Sequence, residues 1–197
     1  MRTRLKRVEQ VERNRELVLE AARRVFLEKG YAGASVEEIA EAAGFSRGVV
    51  YSQFGGKGDM FMALLETRIA ERAAENEAAA ARLDGPDAVR QVLALGEADA
   101  RREPRWQMLL IEFRIQAARD PVLGARYAAA HRQTIARLAK MLQAAWARSG
   151  REPALPPDEQ ARLILAMGSG LTLERAADPE ALPEAVGAPA LLRLLGA

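Results

Sequence analysis

The side chains of this sequence that could do chemistry lie close together: Arg47, Gly48, Tyr51, Gln53 and Lys57, behind two hydroxyls at Ser35 and Ser46. No nucleophile stands beside a base, so the chemistry on offer is recognition. An arginine on the first exposed turn of a short helix can give two hydrogen bonds to guanine, or contact phosphate instead. Gly48 costs about 1 kcal/mol of helix propensity relative to alanine. Close approach of the backbone to DNA would explain that cost; drift in a short helix is the alternative. No catalytic set appears elsewhere. His131 is the single histidine and no Glu-x-x-His pair exists, so a helical di-iron site fails on ligand count. There is no phosphate-cradling glycine motif and no paired nucleophile and base. Cysteine is absent, which excludes disulfides, thiolate chemistry and zinc fingers. Neither a metal nor a cofactor is expected.

Two short helices must position these residues. Ser35 followed by Glu38 reads as a capping box, so a helix begins there. Val36, Ile39, Ala40 and Ala43 give it one apolar face, and Gly44 ends it in the left-handed conformation. Phe45 anchors the turn, and Ser46 caps a second helix over residues 47–53. Two short helices about a glycine turn make a helix-turn-helix, whose second helix enters the major groove of DNA. Val36, Ile39, Val49 and Phe54 are assigned to the core. In front, a helix from about Asn14 carries Leu17, Val18, Ala21, Ala22, Val25 and Phe26 inward and ends at Gly30, with Tyr31 as a lid. The first fifteen residues, including Arg4, Lys6 and Arg7, form a basic segment. It can lie along phosphates or in the minor groove, or be a solvated terminus.

Ser35, Ile39-Ala40, Gly44, Ser46, Gly48, Val50, Tyr51, Phe54 and Lys57 together resemble the TetR family of one-component transcription regulators. Two positions depart from its pattern: Gln53 stands where histidine or tyrosine is commoner, and Gly58 where an acid usually follows the lysine. The sharp likeness spans residues 15–65. It implies phosphate contacts by Tyr51 and Lys57, a C-terminal bundle enclosing a small-molecule effector, and a dimer. Lys57 near a helix start would add its charge to free backbone N–H groups.

The rest of the chain is consistent with that role. The 197 residues can bury a sizeable core. Abundant alanine, leucine, arginine and glutamate favour an all-α protein. The expected architecture is an N-terminal three-helix DNA-binding domain, residues 1–56 with the arm, and a helical bundle for effector binding and dimerisation, residues 57–197. A net charge of +2 is nearly balanced, so any nucleic-acid binding must come from where charge sits. No apolar stretch can span a bilayer: residues 163–173 are too short and glycine-rich. No membrane partner and a cytoplasmic location are expected.

A long helix from Lys57 to about Leu83 reads as the connector that a signal would move. Helices over 87–101, 104–119, 121–148 and 158–177 follow, then a weaker tail interrupted by Pro183 and Pro189. Trp106, Met108, Ile111, Glu112, Phe113, Ile115, Tyr127, His131 and Met141 are candidate effector-pocket residues, with plain core packing as the alternative for each. Leu163, Ala166, Met167, Gly170 and Leu171 are candidate dimer-interface residues, because small residues let backbones approach while large ones fill a seam; close packing within one chain is the alternative. The leading expectation is a repressor that binds an inverted-repeat operator in double-stranded DNA as a homodimer and is released by an apolar or amphipathic ligand. A helical-bundle enzyme or carrier is the rival. A DNA-architectural protein would leave the second half without a purpose.

Overall fold

The computed structural model describes residues 2–178, 180 and 187–195. Among them the elements are helices α1 (Arg2–Gly33), α2 (Val36–Ala43), α3 (Arg47–Tyr51), α4 (Lys57–Ala80), α5 (Gly85–Arg102), α6 (Pro104–Ala117), α7 (Pro121–Ser149), α8 (Pro157–Ala177) and α9 (Gly187–Leu195), with no strand. The all-α expectation holds, and most boundaries fall within a few residues of those read from the caps.

Two ends differ. α1 starts at Arg2 rather than near Asn14, so the basic segment prolongs the helix. Its run of arginine, lysine, leucine, glutamate and glutamine contains no glycine or proline to stop a helix, and those side chains lose little freedom in one. The side chains of Arg4, Lys6 and Arg7 lie outside the described part. At the other end Pro189 does not interrupt α9: it is the third residue of that helix, where a missing N–H costs nothing. Pro183 lies outside the described residues.

The chain divides into two compact units, Met1–Arg68 with Glu112–Gly124, and Ile69–Ile111 with Ala125–Ala197. In the first, α1 packs on α2 and α2 on α3. Val18, Ala21, Ala22, Val25 and Phe26 are buried along one face of α1, while Leu17 remains 42% exposed. Val36, Ile39 and Phe54 are buried as expected; on α3 the fully buried residue is Val50, and Val49 is only half-buried. An aromatic cluster fills the centre. Phe26 stacks on Tyr31 at 5.7 Å, Phe61 stacks on Phe113 at 4.1 Å, and Tyr31 meets Phe61 and Phe113 edge-on.

In the second unit Val89, Val92 and Leu93 of α5, Ile135, Leu138, Leu142 and Trp146 of α7, Ala161 and Ile164 of α8, and Leu191 and Leu195 of α9 form one apolar core. Its polar members are satisfied: Trp146 Nε1 donates to Gln160 Oε1 at 3.1 Å, and Gln160 Nε2 donates to the Leu155 carbonyl at 3.1 Å. The Arg148 guanidinium caps the end of α4 through the carbonyls of Ala80 and Leu83.

Two glycines of this unit separate packing from propensity. A methyl group at Gly85 would overlap the Trp146 ring, whereas one at Gly96, in the middle of α5, would only reach van der Waals distance of Arg72. Gly85→Ala should therefore lower stability by about 1–3 kcal/mol, and Gly96→Ala should raise it by about 0.5–1 kcal/mol. Urea unfolding of both variants beside the wild type checks the opposite signs.

Candidate DNA-reading interface

α1 ends at a corner that sets the direction of everything after it. Gly30 adopts φ 74°, ψ 170°, a conformation essentially restricted to glycine. Beyond it, Tyr31 N–H donates to the Glu112 carboxylate at 3.0 Å. The same carboxylate lies 2.6 Å from where a Gly30 Cβ would sit, a second reason for glycine there. The last carbonyls of a helix lack intrahelical partners. Here the Lys57 ammonium takes those of Tyr31 and Ala32 and the Ala34 carbonyl just beyond the helix, at 2.9, 3.2 and 3.1 Å, and lies 4.9 Å from the centre of the Tyr31 ring. An ammonium has three N–H donors, and the three carbonyls accept them. Lys57 thus caps the corner, a role that the sequence pattern did not suggest. Burial among the rings pushes the Tyr31 phenol above its usual range.

α2 then starts as its capping box dictates. Ser35 Oγ accepts from Glu38 N at 3.2 Å, and the Glu38 carboxylate accepts from Ser35 N at 3.1 Å. Lys29 closes on the same carboxylate at 2.5 Å. That hydrogen bond first, and those from Ser35 next, hold Glu38 below the usual glutamate range. A lowered carboxyl contributes stability that is present above the ordinary glutamate range and lost as pH falls through the folded value. Acid therefore loosens this cap. Gly44 closes α2 in the left-handed conformation, φ 73°, ψ 24°.

α3 is presented outward. Ser46 Oγ accepts from Val49 N, and Val50 and Phe54 anchor the helix inward. Arg15 of α1 lies 4.3 Å from the centre of the Phe54 ring and donates to the Gln53 carbonyl at 3.3 Å, fixing the end of the recognition segment. Arg24 likewise donates to Ala42 near the end of α2. On the outer side Tyr51 is 47% exposed. Arg47 is exposed and pairs with Glu37 at 2.6 Å. The Gly48 Cβ position has only Ser46 Oγ near it, at 3.9 Å, so nothing in the fold requires glycine there. Gln53 turns its Oε1 inward, buried and without a hydrogen-bond partner, instead of offering it outward. The structure thus brings Ser46, Arg47, Gly48 and Tyr51 together. Sequence reasoning missed Arg15, Arg24 and Glu37, whose partners are 10 to 39 residues away, with no local spacing to betray them.

The candidate effector residues separate. Glu112 and Phe113 belong to the first unit, the one at the α1 corner and the other in the aromatic cluster, and Ile115 is 50% exposed. In the second unit Trp106 is buried, Met108 and Ile111 are half-buried, Tyr127 stacks on His131 at 5.7 Å, and Met141 packs against the core. None lines one small cavity of that unit. That cavity holds about 60 Å³, among Val92, Leu93, Ile164, Leu171 and the Glu97–Arg175 pair. Small-molecule sites run from roughly 300 Å³ upward. The candidate dimer residues divide too: Leu163, Ala166 and Gly170 are exposed on α8, while Met167 and Leu171 pack on the core of their own unit. Among the described residues no group of acids and histidine could hold a metal, and no helix is long and apolar enough to cross a membrane.

A three-helix head with capped α2 and outward-facing α3 defines a helix-turn-helix DNA-binding protein. Residues 18–64 match the model of bacterial regulatory proteins of the tetR family, and residues 85–196 that of the BetI-type transcriptional repressor C-terminal region. The second match covers more than half of the 197 residues, and the chain belongs to the tetR family of transcriptional regulators. It is similar to the transcriptional repressor AcnR of Corynebacterium glutamicum, 34% identical over 120 residues, which is 58% of this chain and 56% of that protein. A shorter match, 37% over 59 residues, covers 30% of the chain and 28% of the regulator TtgR of Pseudomonas putida. These matches span about half or less of the relatives' own lengths. Among solved structures, FadR of Bacillus subtilis in complex with stearoyl-CoA superimposes with TM-score 0.74 at 17% identity, covering 91% of this chain and 96% of that one. A transcriptional regulator of Rhodococcus sp. RHA1 gives 0.69 at 28%, covering 92% and 94%.

Loss of the Lys57 hydrogen bonds should be felt by the fold itself. Lys57→Met is expected to destabilise the protein by about 1–3 kcal/mol, measured by urea unfolding without DNA. A residue that served only as a phosphate donor would leave that midpoint unchanged.

Proposed function

We propose that this regulator is a repressor that binds an inverted-repeat operator as a symmetric dimer and is released by a small apolar or amphipathic effector in the cytoplasm. The carrying observation is the outward face of α3: Arg47, Gly48 and Tyr51 are exposed on a helix whose other side is buried. Arg47 reads a base edge, Gly48 lets the backbone come close to the DNA, and Tyr51 meets phosphate, with Ser35 and Ser46 at the helix starts beside it. The likeness to a protein named as a repressor supports the sign of regulation. Residues 1–56 form the DNA-binding part and residues 57–197 the effector and dimer part.

A row of Leu163, Ala166, Gly170 and Leu173 runs along α8 at three- and four-residue spacing, and Leu163 and Leu173 are 39% and 45% exposed. Among the described residues nothing beyond the helix's own backbone and chain neighbours lies within 4 Å of a Gly170 Cβ. An open glycine in an exposed helical row costs propensity for no gain within the chain, and close approach by a second copy supports its presence. Two-fold pairing doubles the base contacts and calls for half-sites about one helical turn apart, or a multiple of it. The effector, held in the second part, weakens operator binding through α4, and linkage requires the operator to weaken effector binding by the same factor. The stearoyl-CoA held by a neighbour of the same fold supports an amphipathic ligand.

Selection from a random duplex pool at low salt should return an inverted repeat. Arg47→Ala should cost about 1–3 kcal/mol at one base pair per half-site and relax preference there. Failure of the wild type to select any sequence would sink the reading. For the assembly, sedimentation of the wild type at micromolar concentration should give a dimer, and Gly170→Arg should give folded monomers or unfolded chains, with operator binding lost either way. A wild-type monomer that fully binds an isolated half-site would refute the seam.

A further inference from the structure

We infer that Glu37 is a specificity-determining residue: it holds Arg47 for base reading and withholds it from phosphate. The inference rests on the DNA-reading role of α3 proposed above. The two glutamates that open α2 are adjacent in sequence but differ in what they do. Glu38 is consumed by the capping box and Lys29, with both oxygens engaged. Glu37 takes no part in the cap; its Oε1 pairs with Arg47 Nη2 at 2.6 Å, from one helix of the motif to the other. Both side chains are largely exposed, 50% and 62%, so the pair adds little to stability. Its position is the informative feature. A carboxylate there suits the first turn of α2, but beside the reading face it also opposes the phosphate backbone and bears directly on what Arg47 can reach.

The physical effect follows from the donors of a guanidinium. Arginine carries five N–H donors in a fixed fork. Engaging one nitrogen with Glu37 leaves N–H groups to span the O6 and N7 acceptors of guanine, and restrains a long, flexible side chain that would otherwise find the nearer phosphate. The same carboxylate neutralises the charge that Arg47 would bring to DNA of any sequence. Specific binding keeps the base contact, while non-specific binding loses one phosphate contact per α3. Glu37 thus acts through Arg47 as a positioning residue and through its own charge against the wrong sequences.

The test uses the full chain with random-pool selection and salt titration, on wild type, Glu37→Gln, Arg47→Ala and the double variant. Glu37→Gln should still select a sequence, but preference at the base pair read by Arg47 should fall by roughly tenfold. Its affinity for unselected duplex should rise, and its salt slope should steepen by about one for each Arg47 released to phosphate. In the Arg47→Ala background the Glu37 substitution should leave base preference where it was. Unchanged preference and slope in Glu37→Gln, including the case where only the melting temperature moves, would overturn the inference. So would a shift of preference that persists without Arg47. A wild type that selects nothing would overturn the DNA-reading role itself, an outcome visible before any variant is compared.

Discussion

One ammonium group holds the corner on which the DNA-reading head depends. A helix that ends abruptly so that the next can cross it leaves its last carbonyls without partners, and such groups are costly if water is excluded from them. Lys57, at the first residue of α4, supplies three donors to Tyr31, Ala32 and Ala34 at once. The Glu112 carboxylate takes the Tyr31 N–H from α6, and Gly30 gives the chain a conformation open to no other residue. Beneath them the rings of Phe26, Tyr31, Phe61 and Phe113 fix the spacing of α1, α4 and α6. α2 starts one residue beyond the corner and α3 hangs from α2 through the Gly44 turn. Any tilt of the corner is therefore a tilt of the recognition helix.

A chain with a net charge of +2 cannot rely on an overall positive field to hold DNA, and the cations of the head are unequally available. Arg15 is used on Phe54 and the Gln53 carbonyl, Arg24 on Ala42, Lys29 on Glu38 and Lys57 on the corner. Each of these ties one helix of the motif to another. Arg47 alone among these five stands on α3, and its partner is another exposed side chain. Most basic residues of the motif thus maintain its shape, and shape is what aims the few groups that face outward. The second unit follows the reverse pattern: its core is apolar, the buried Gln160 amide is bonded at both ends, and an exposed leucine and small-residue row is left on α8.

By itself the sequence determined the local structure. Capping boxes, left-handed glycines, proline positions and three- and four-residue apolar spacing are satisfied within one or two turns, so Ser35, Gly44, Ser46 and the faces of α1 and α2 were legible without any partner. The Ser35-to-Lys57 pattern carried the family for the same reason: its residues are close in sequence and their roles are mutual. Only the tertiary structure decided what the long side chains do. Lysine at position 57 suits a phosphate or a set of carbonyls equally well, and the carbonyls it meets here lie at and just beyond the end of α1, 23 to 26 residues earlier. Glu112 and Phe113 read as candidate pocket residues because they sit on an apolar helix; the structure puts Glu112 at the α1 corner, reached across 81 residues of sequence, and Phe113 in the aromatic cluster. Glu37 and Glu38 are alike as letters, and the crossing of α2 and α3 separates them. Contacts between elements depend on crossing angles and on the reach of flexible side chains, neither of which has a period in the sequence.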